Sequence, residues 1–385
     1  MTLEDYISRL NENIFFKEFS FSRNQFSPAQ GVELEFADHV IWLDDLFITF
    51  QIKRREYSDD HTEASEANWF EKKVLRKATQ QIRDTIHFLD AHDKINIINA
   101  RGHSFDVIAA KTNKSFHMVL YAHDHCLPEK YKRKKFHISS SAGFIHLMSI
   151  EDYLGICQTL ITPAEIGDYL TFRQKLGGKF GQINILPEQA LLGQFLYGVL
   201  EAEPSIDFAK YLAELKHTPD EFDLSYIIRN FKDRILNANN SVDYYKILRE
   251  LAKLGREELK EVKLRFNLSI QNCQRNEYVK PYRVTFPRTG CGFVFVPVQQ
   301  ERRAYALNAL QNFTHAHKYE QKLEKCIGVS FVNDGEYYDI NYCYIEQNWV
   351  HDPDMERILK DNFPFRPVRQ ETMHRYWFAN ETAGE

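Results

Sequence analysis

The sequence predicts an α/β protein: a mixed sheet flanked by helices, followed by a helical region and a small C-terminal α/β unit. Three observations predict it. Two apolar runs of strand length, 36–43 and 46–52, rich in Phe, Ile, Val and Trp, are separated only by Asp44-Asp45 and read as a tight hairpin. Residues 69–90 then carry Val74, Ala78, Ile82, Ile86 and Leu89 at helical spacing, as a helix packing on that hairpin would. Further strand-like segments at 95–100, 105–109, 116–123, 136–139 and 144–148 complete a sheet of about five to seven strands.

At 385 residues the chain is long enough for two or three domains. Its 49 basic and 54 acidic residues give a formal charge of −5, which excludes a protein that coats nucleic acid along its whole surface and leaves local basic patches for any such contact. Six cysteines, Cys126, Cys157, Cys273, Cys291, Cys326 and Cys343, lack zinc-type spacing and read as reduced thiols. The acidic, amphipathic start and the lack of an apolar run of about 20 residues predict a cytoplasmic protein with no membrane partner.

The hairpin carries the polar groups that matter. If Asp44 and Asp45 form the loop, paired positions sum to 89, and Asp38 faces Gln51. Lys53 lies on the Gln51 face and becomes the diagonal neighbour of Asp38, so the three groups fall within roughly 5 to 8 Å. A three-residue loop would slip the register and send Asp38 to the other face. An acid, an amide and an ammonium on strands this apolar cost several kcal/mol of desolvation unless compensated. A hard divalent cation compensates, with oxygen ligands from Asp38, Gln51 and the backbone carbonyl of Ile52. Lys53 would then stabilise charge on an attacking hydroxide or a phosphate.

An acid, a hairpin and then Gln51-Ile52-Lys53 resembles the PD-(D/E)xK nuclease superfamily, in the Gln-x-Lys variant of Mrr-type restriction endonucleases. The resemblance covers at most about the first 120 residues. It implies a restriction-endonuclease-like fold, Asp38 and Gln51 as ligands of Mg²⁺ (or Mn²⁺), and Lys53 as the catalytic lysine. It also implies phosphodiester cleavage, of DNA above all, and a role in defence against foreign DNA. Ala37 stands where the family commonly has Pro, and Gln is a weaker ligand than a carboxylate. Members also carry a Glu on a helix before the first core strand. Glu4, with Ile7 and Leu10 following, fits that spacing ahead of the strand-like 14–19, although the helix dipole favours an acid there without any function. An ATPase partner or self-association is a further expectation, and a non-cleaving binding or scaffold subunit is the alternative.

For nucleic acid, Lys77 and Gln81 on the 69–90 helix are candidate contacts, as is the basic run Lys130, Lys132, Arg133, Lys134 and Lys135 around Tyr131. His123-Asp124-His125 could turn two imidazoles the same way, but no third or fourth ligand is near in sequence, and a metal reading is set aside. Thr162-Pro163-Ala164-Glu165 opens a helix by a capping box. Gly177-Gly178-Lys179-Phe180-Gly181 lacks Walker spacing and reads as a linker. The expected domains are therefore 1–176 for the nuclease-like unit, 182–278 helical and 279–385 small α/β. An Arg369-x4-His374 spacing of the HEPN ribonuclease type lies too close to Pro364 and Pro367 to carry a reading.

Overall fold

Thr2 and Asp5 cap each other's amides and start helix α1 (Leu3–Ile14). The apolar stripe of this helix puts Ile7 into the core, and Phe15 beyond its last turn is buried with it. The strand expected over 14–19 is therefore helix end and a 3₁₀ turn (Lys17–Phe19), and the first strand, β1, is Ser20–Arg23. The apolar run serves helix packing rather than strand pairing. In this computed structural model, residues 1–29, 32–234, 240–367 and 370–379 are described, so Arg369 lies outside them.

A small hairpin of β2 (Gln25–Ala29) and β3 (Val32–Glu35) precedes the central one, β4 (His39–Leu43) and β5 (Leu46–Arg54). Between β4 and β5, Leu43 pairs with Leu46 and His39 with Phe50, the register expected for a two-residue loop. Asp44 has φ 55°, the left-handed conformation that such a turn demands and that Asp tolerates.

With β6 (Asn96–Asn99), β7 (Ser104–Asp106), β8 (Lys114–Ala122), β9 (Phe136–Ser139) and β10 (Gly143–Ser149), an eight-stranded sheet forms in the order β7-β6-β1-β4-β5-β8-β10-β9. β8 is parallel to both β5 and β10, and the other pairings are antiparallel, so the sheet is mixed. The strand expected over 105–109 stops at Asp106, whose carboxylate accepts from the Ile108 amide and starts a 3₁₀ turn.

Helices cover both faces. Ile48, Phe50 and Ile52 of β5 join Phe116, Met118 and Leu120 of β8 in a core with α1 and helices at Ile150–Thr159, Pro163–Lys179 and Glu188–Tyr197. On the other face, Val119 and Tyr121 pack against Val74, Ala78 and Ile82. These belong to one continuous helical stretch: α2 (Glu63–Trp69), a π-helical segment (Phe70–Lys77) and α3 (Ala78–Ala91). Gln51 and Lys53 alternate with Phe50 and Ile52 along β5 and so lie on the α3 face.

Gly177 and Gly178 lie inside the Pro163–Lys179 helix rather than in a linker. A Cβ at Gly177 would stand 3.0 Å from the Phe144 ring and 3.2 Å from that of Phe136, so close packing on β9 and β10 is what selects glycine there. Arg173 and Glu188 bind these helices to the strands. Arg173 is fully buried, its Nε donates to Glu188 (2.8 Å), and its guanidinium also donates to the carbonyls of Lys135 (2.8 Å) and Leu147 (2.9 Å).

The first compact unit accordingly runs through Met1–Lys216 and regains Tyr376–Glu385, where Leu215 bridges Phe378. The division expected at 177–181 is corrected to Lys216 and His217, and the helical and α/β parts form one second unit, His217–Arg375. In it β11 (Tyr282–Phe286), β12 (Cys291–Val298), β13 (Lys325–Asn333) and β14 (Tyr338–Glu346) make a four-stranded sheet with β12 parallel to β13. Helices Arg256–Arg275 and Ala306–Glu320 pack on it. Among the described residues no helix is long and apolar enough to cross a membrane.

Candidate active site

The β4–β5 register places Asp38 one step beyond His39 and so across from Gln51. Its carboxylate Oδ2 accepts from the Ile52 amide (2.6 Å) and from Lys53 Nζ (3.2 Å). The ammonium of Lys53 is also 3.4 Å from Gln51 Oε1 and 3.1 Å from the Ile52 carbonyl oxygen. The three oxygens expected to hold a metal thus converge on one positive charge. The Asp38 and Lys53 side chains are each 13% exposed, so both touch solvent. The donor set is all oxygen, which fits a hard divalent cation in the position the ammonium holds.

Glu35, at the end of β3, belongs to the same cluster and is absent from the sequence-based set. Partial burial of its carboxyl, and next the negative charge of Asp38, raise it above the usual glutamate range, with Glu4 adding to the effect and Lys53 opposing it. Its signal in the sequence is the Glu33-Leu34-Glu35 alternation just ahead of Asp38. Glu4 is exposed in the first turn of α1, and its charge is felt at Glu35.

Thr85 of α3 donates to the carbonyl of Phe36 (2.5 Å), two residues before Asp38, which fixes the helix over the start of the hairpin. One turn earlier stands Gln81, whose Oε1 is buried without a partner, and one turn before that the exposed Lys77. The three share a helix stripe by their i, i+4 spacing.

The basic run divides. Lys130 is exposed, with its ammonium over the Tyr131 ring, and Lys134 is half-buried. Lys132 pairs with Glu129 and the His125 carbonyl, while Arg133 donates to the Ile185 carbonyl. Lys135 is corrected: it is 2% exposed and 3.6 Å from Glu188, so it neutralises a buried carboxylate and cannot reach a phosphate. His317, in the second unit, is likewise a core residue held by Thr285.

No family model, curated protein or solved structure matches the chain.

Proposed function

We propose that the unit containing the β4–β5 hairpin is a Mg²⁺-dependent nuclease with a PD-(D/E)xK-type site, cleaving phosphodiesters of DNA in defence against foreign DNA. The observation that carries this reading is the convergence of Asp38, Gln51 and Ile52 oxygens on a single cation position at 3.1 to 3.4 Å. When bound, Mg²⁺ or Mn²⁺ supplies Lewis-acid neutralisation of phosphate charge. Asp38 and Gln51 would hold the ion together with the Ile52 carbonyl. Lys53, released from Asp38 by the competing cation, would present its ammonium to the phosphate oxygens as charge builds there. Lys77 and Gln81 on the neighbouring helix, with Lys130 and Lys134, would meet the nucleic-acid backbone.

The test is cleavage of plasmid and phage DNA, with tRNA and single-stranded RNA alongside, by the full chain in Mg²⁺. Asp38→Asn must abolish cleavage, and cleavage that survives the change ends the assignment. One observation favours a second reading, a non-cleaving DNA-binding or scaffold subunit: Lys53 already satisfies Asp38, as a structural ion pair would. Saturable DNA binding with no cleavage of any of these substrates, with or without an ATPase partner, selects it.

A further inference from the structure

β5 and β8 are adjacent and parallel, so the loops that follow them leave the same edge of the sheet, joined by the Arg55 amide donating to the Ala122 carbonyl (2.9 Å). The first loop carries His61 and leads to Glu66 of α2, and the second is the turn Asp124-His125-Cys126. Topology thereby supplies what sequence proximity does not, further donors beside the 123–125 histidines.

Asp124 is the centre. It is 3% exposed, its Oδ1 is 2.6 Å from His125 Nδ1, and its Oδ2 is 3.2 Å from His61 Nδ1. With Nδ1–H of His125 donated to Asp124, the lone pair on Nε2 faces Cys126 Sγ at 3.2 Å. One donor atom each from Asp124, His125 and Cys126 lies within 4.8 Å of the others. Carboxylate oxygen, imidazole nitrogen and thiolate sulfur are the donor types of protein-bound zinc.

A second buried carboxylate meets His61 behind Asp124. Glu66 is fully buried, its Oε1 takes Arg55 Nε (2.8 Å) and lies 3.4 Å from His61 Nδ1, and its Oε2 has no partner. Two inaccessible carboxylates, Asp124 and Glu66, thus face His61 together; Asp124 also accepts from the Cys126 amide (3.3 Å), whereas Arg55 pairs with Glu66 alone.

We propose that Asp124, His125 and Cys126 bind a zinc-class divalent transition ion, with His61, itself held by Glu66, positioning Asp124 and the exposed His125 side open for water. The mixed sulfur, nitrogen and oxygen set favours such an ion over Mg²⁺. The site is separate from the Asp38 cluster and stands whether or not the chain cleaves DNA.

Cobalt(II) alone, titrated into tag-free, metal-free full chain, should give a thiolate-to-cobalt charge-transfer band saturating at one equivalent. The Asp38 cluster holds no sulfur and cannot produce it. Cys126→Ser should abolish the band and weaken cobalt binding at least tenfold. Asp124→Asn and His125→Gln should each weaken it at least tenfold, and the His125 side chain, 67% exposed, tolerates change without unfolding the chain. No thiolate band in the parent, an undiminished band in Cys126→Ser, or parent affinity in His125→Gln overturns the proposal.

Discussion

The ammonium of Lys53 stands 3.2 Å from Asp38 Oδ2 and 3.1 Å from the carbonyl oxygen of Ile52, inside the donor set that a metal ion would need. Ammonium and metal therefore compete for the same oxygens. Removing the ammonium should help the ion and harm the chemistry. In Lys53→Met, Mn²⁺ should bind several-fold more tightly by calorimetry while DNA cleavage falls by about 10²-fold or more, the usual loss when a charge-stabilising group is deleted. Asp38→Asn should lower both. Weaker Mn²⁺ binding in Lys53→Met would show that the lysine supports the donor set instead of competing for it.

The basic run gives a separable pair of outcomes. Lys130 and Lys134 reach solvent, whereas Lys135 is sealed against Glu188. Lys130→Ala with Lys134→Ala should leave the melting temperature unchanged. The slope of log DNA affinity against log salt should become shallower by about 2, at roughly 0.9 for each phosphate that is no longer neutralised. Lys135→Ala should cost about 1 to 3 kcal/mol of stability and leave that slope alone. Salt-dependent binding and thermal unfolding measured on the same preparations decide it.

Arg173 answers to a different arithmetic. It is completely buried, and Glu188, though burial alone would raise its carboxyl, is held below the ordinary glutamate range by Arg173 and then Lys135. Arg173→Met leaves Glu188 facing one lysine and Tyr169 in a desolvated site, and should cost about 3 to 5 kcal/mol in urea denaturation. Arg173→Met with Glu188→Leu removes the stranded charge and should recover much of that loss. A double variant no more stable than the single would mean that the guanidinium's bonds to the Lys135 and Leu147 carbonyls, not the ion pair, carry the effect.

The hairpin is legible in the sequence because its information is local: two polar residues interrupt two apolar runs, and the period of two fixes which side chains meet. Asp38, Gln51 and Lys53 can be placed by arithmetic for that reason. Gly177 is not legible as helix, since the need for a small residue comes from Phe136 and Phe144, distant in sequence. Lys135 looks like its neighbours because charge is visible in a sequence and burial against Glu188 is not. The His61–Asp124 pairing depends on which loops share a sheet edge, and that follows only from the strand order.

Two buried histidines, His39 and His146, and the half-buried His117 set the acid limit of the first unit. His39 Nε2 is 3.2 Å from Ser20 Oγ, and burial pushes its imidazole down to about 3. His117 Nδ1 is 2.8 Å from Thr49 Oγ1, and burial brings it down to about 4. His146 is depressed by burial and then by Arg173. Each takes a proton near 6.5 once unfolded but stays neutral in the fold until the solution is far more acidic. Between those limits the unfolded chain binds more protons, so stability falls as pH falls below 6.5, by about 1.4 kcal/mol per pH unit for each histidine. His39→Leu removes one share. In urea denaturation at about pH 6.5, 5.5 and 4.5, the stability gap between parent and His39→Leu should shift toward the variant by about 1.4 kcal/mol per unit of acidification. Parallel stability curves would mean that His39 is not neutral in the native core.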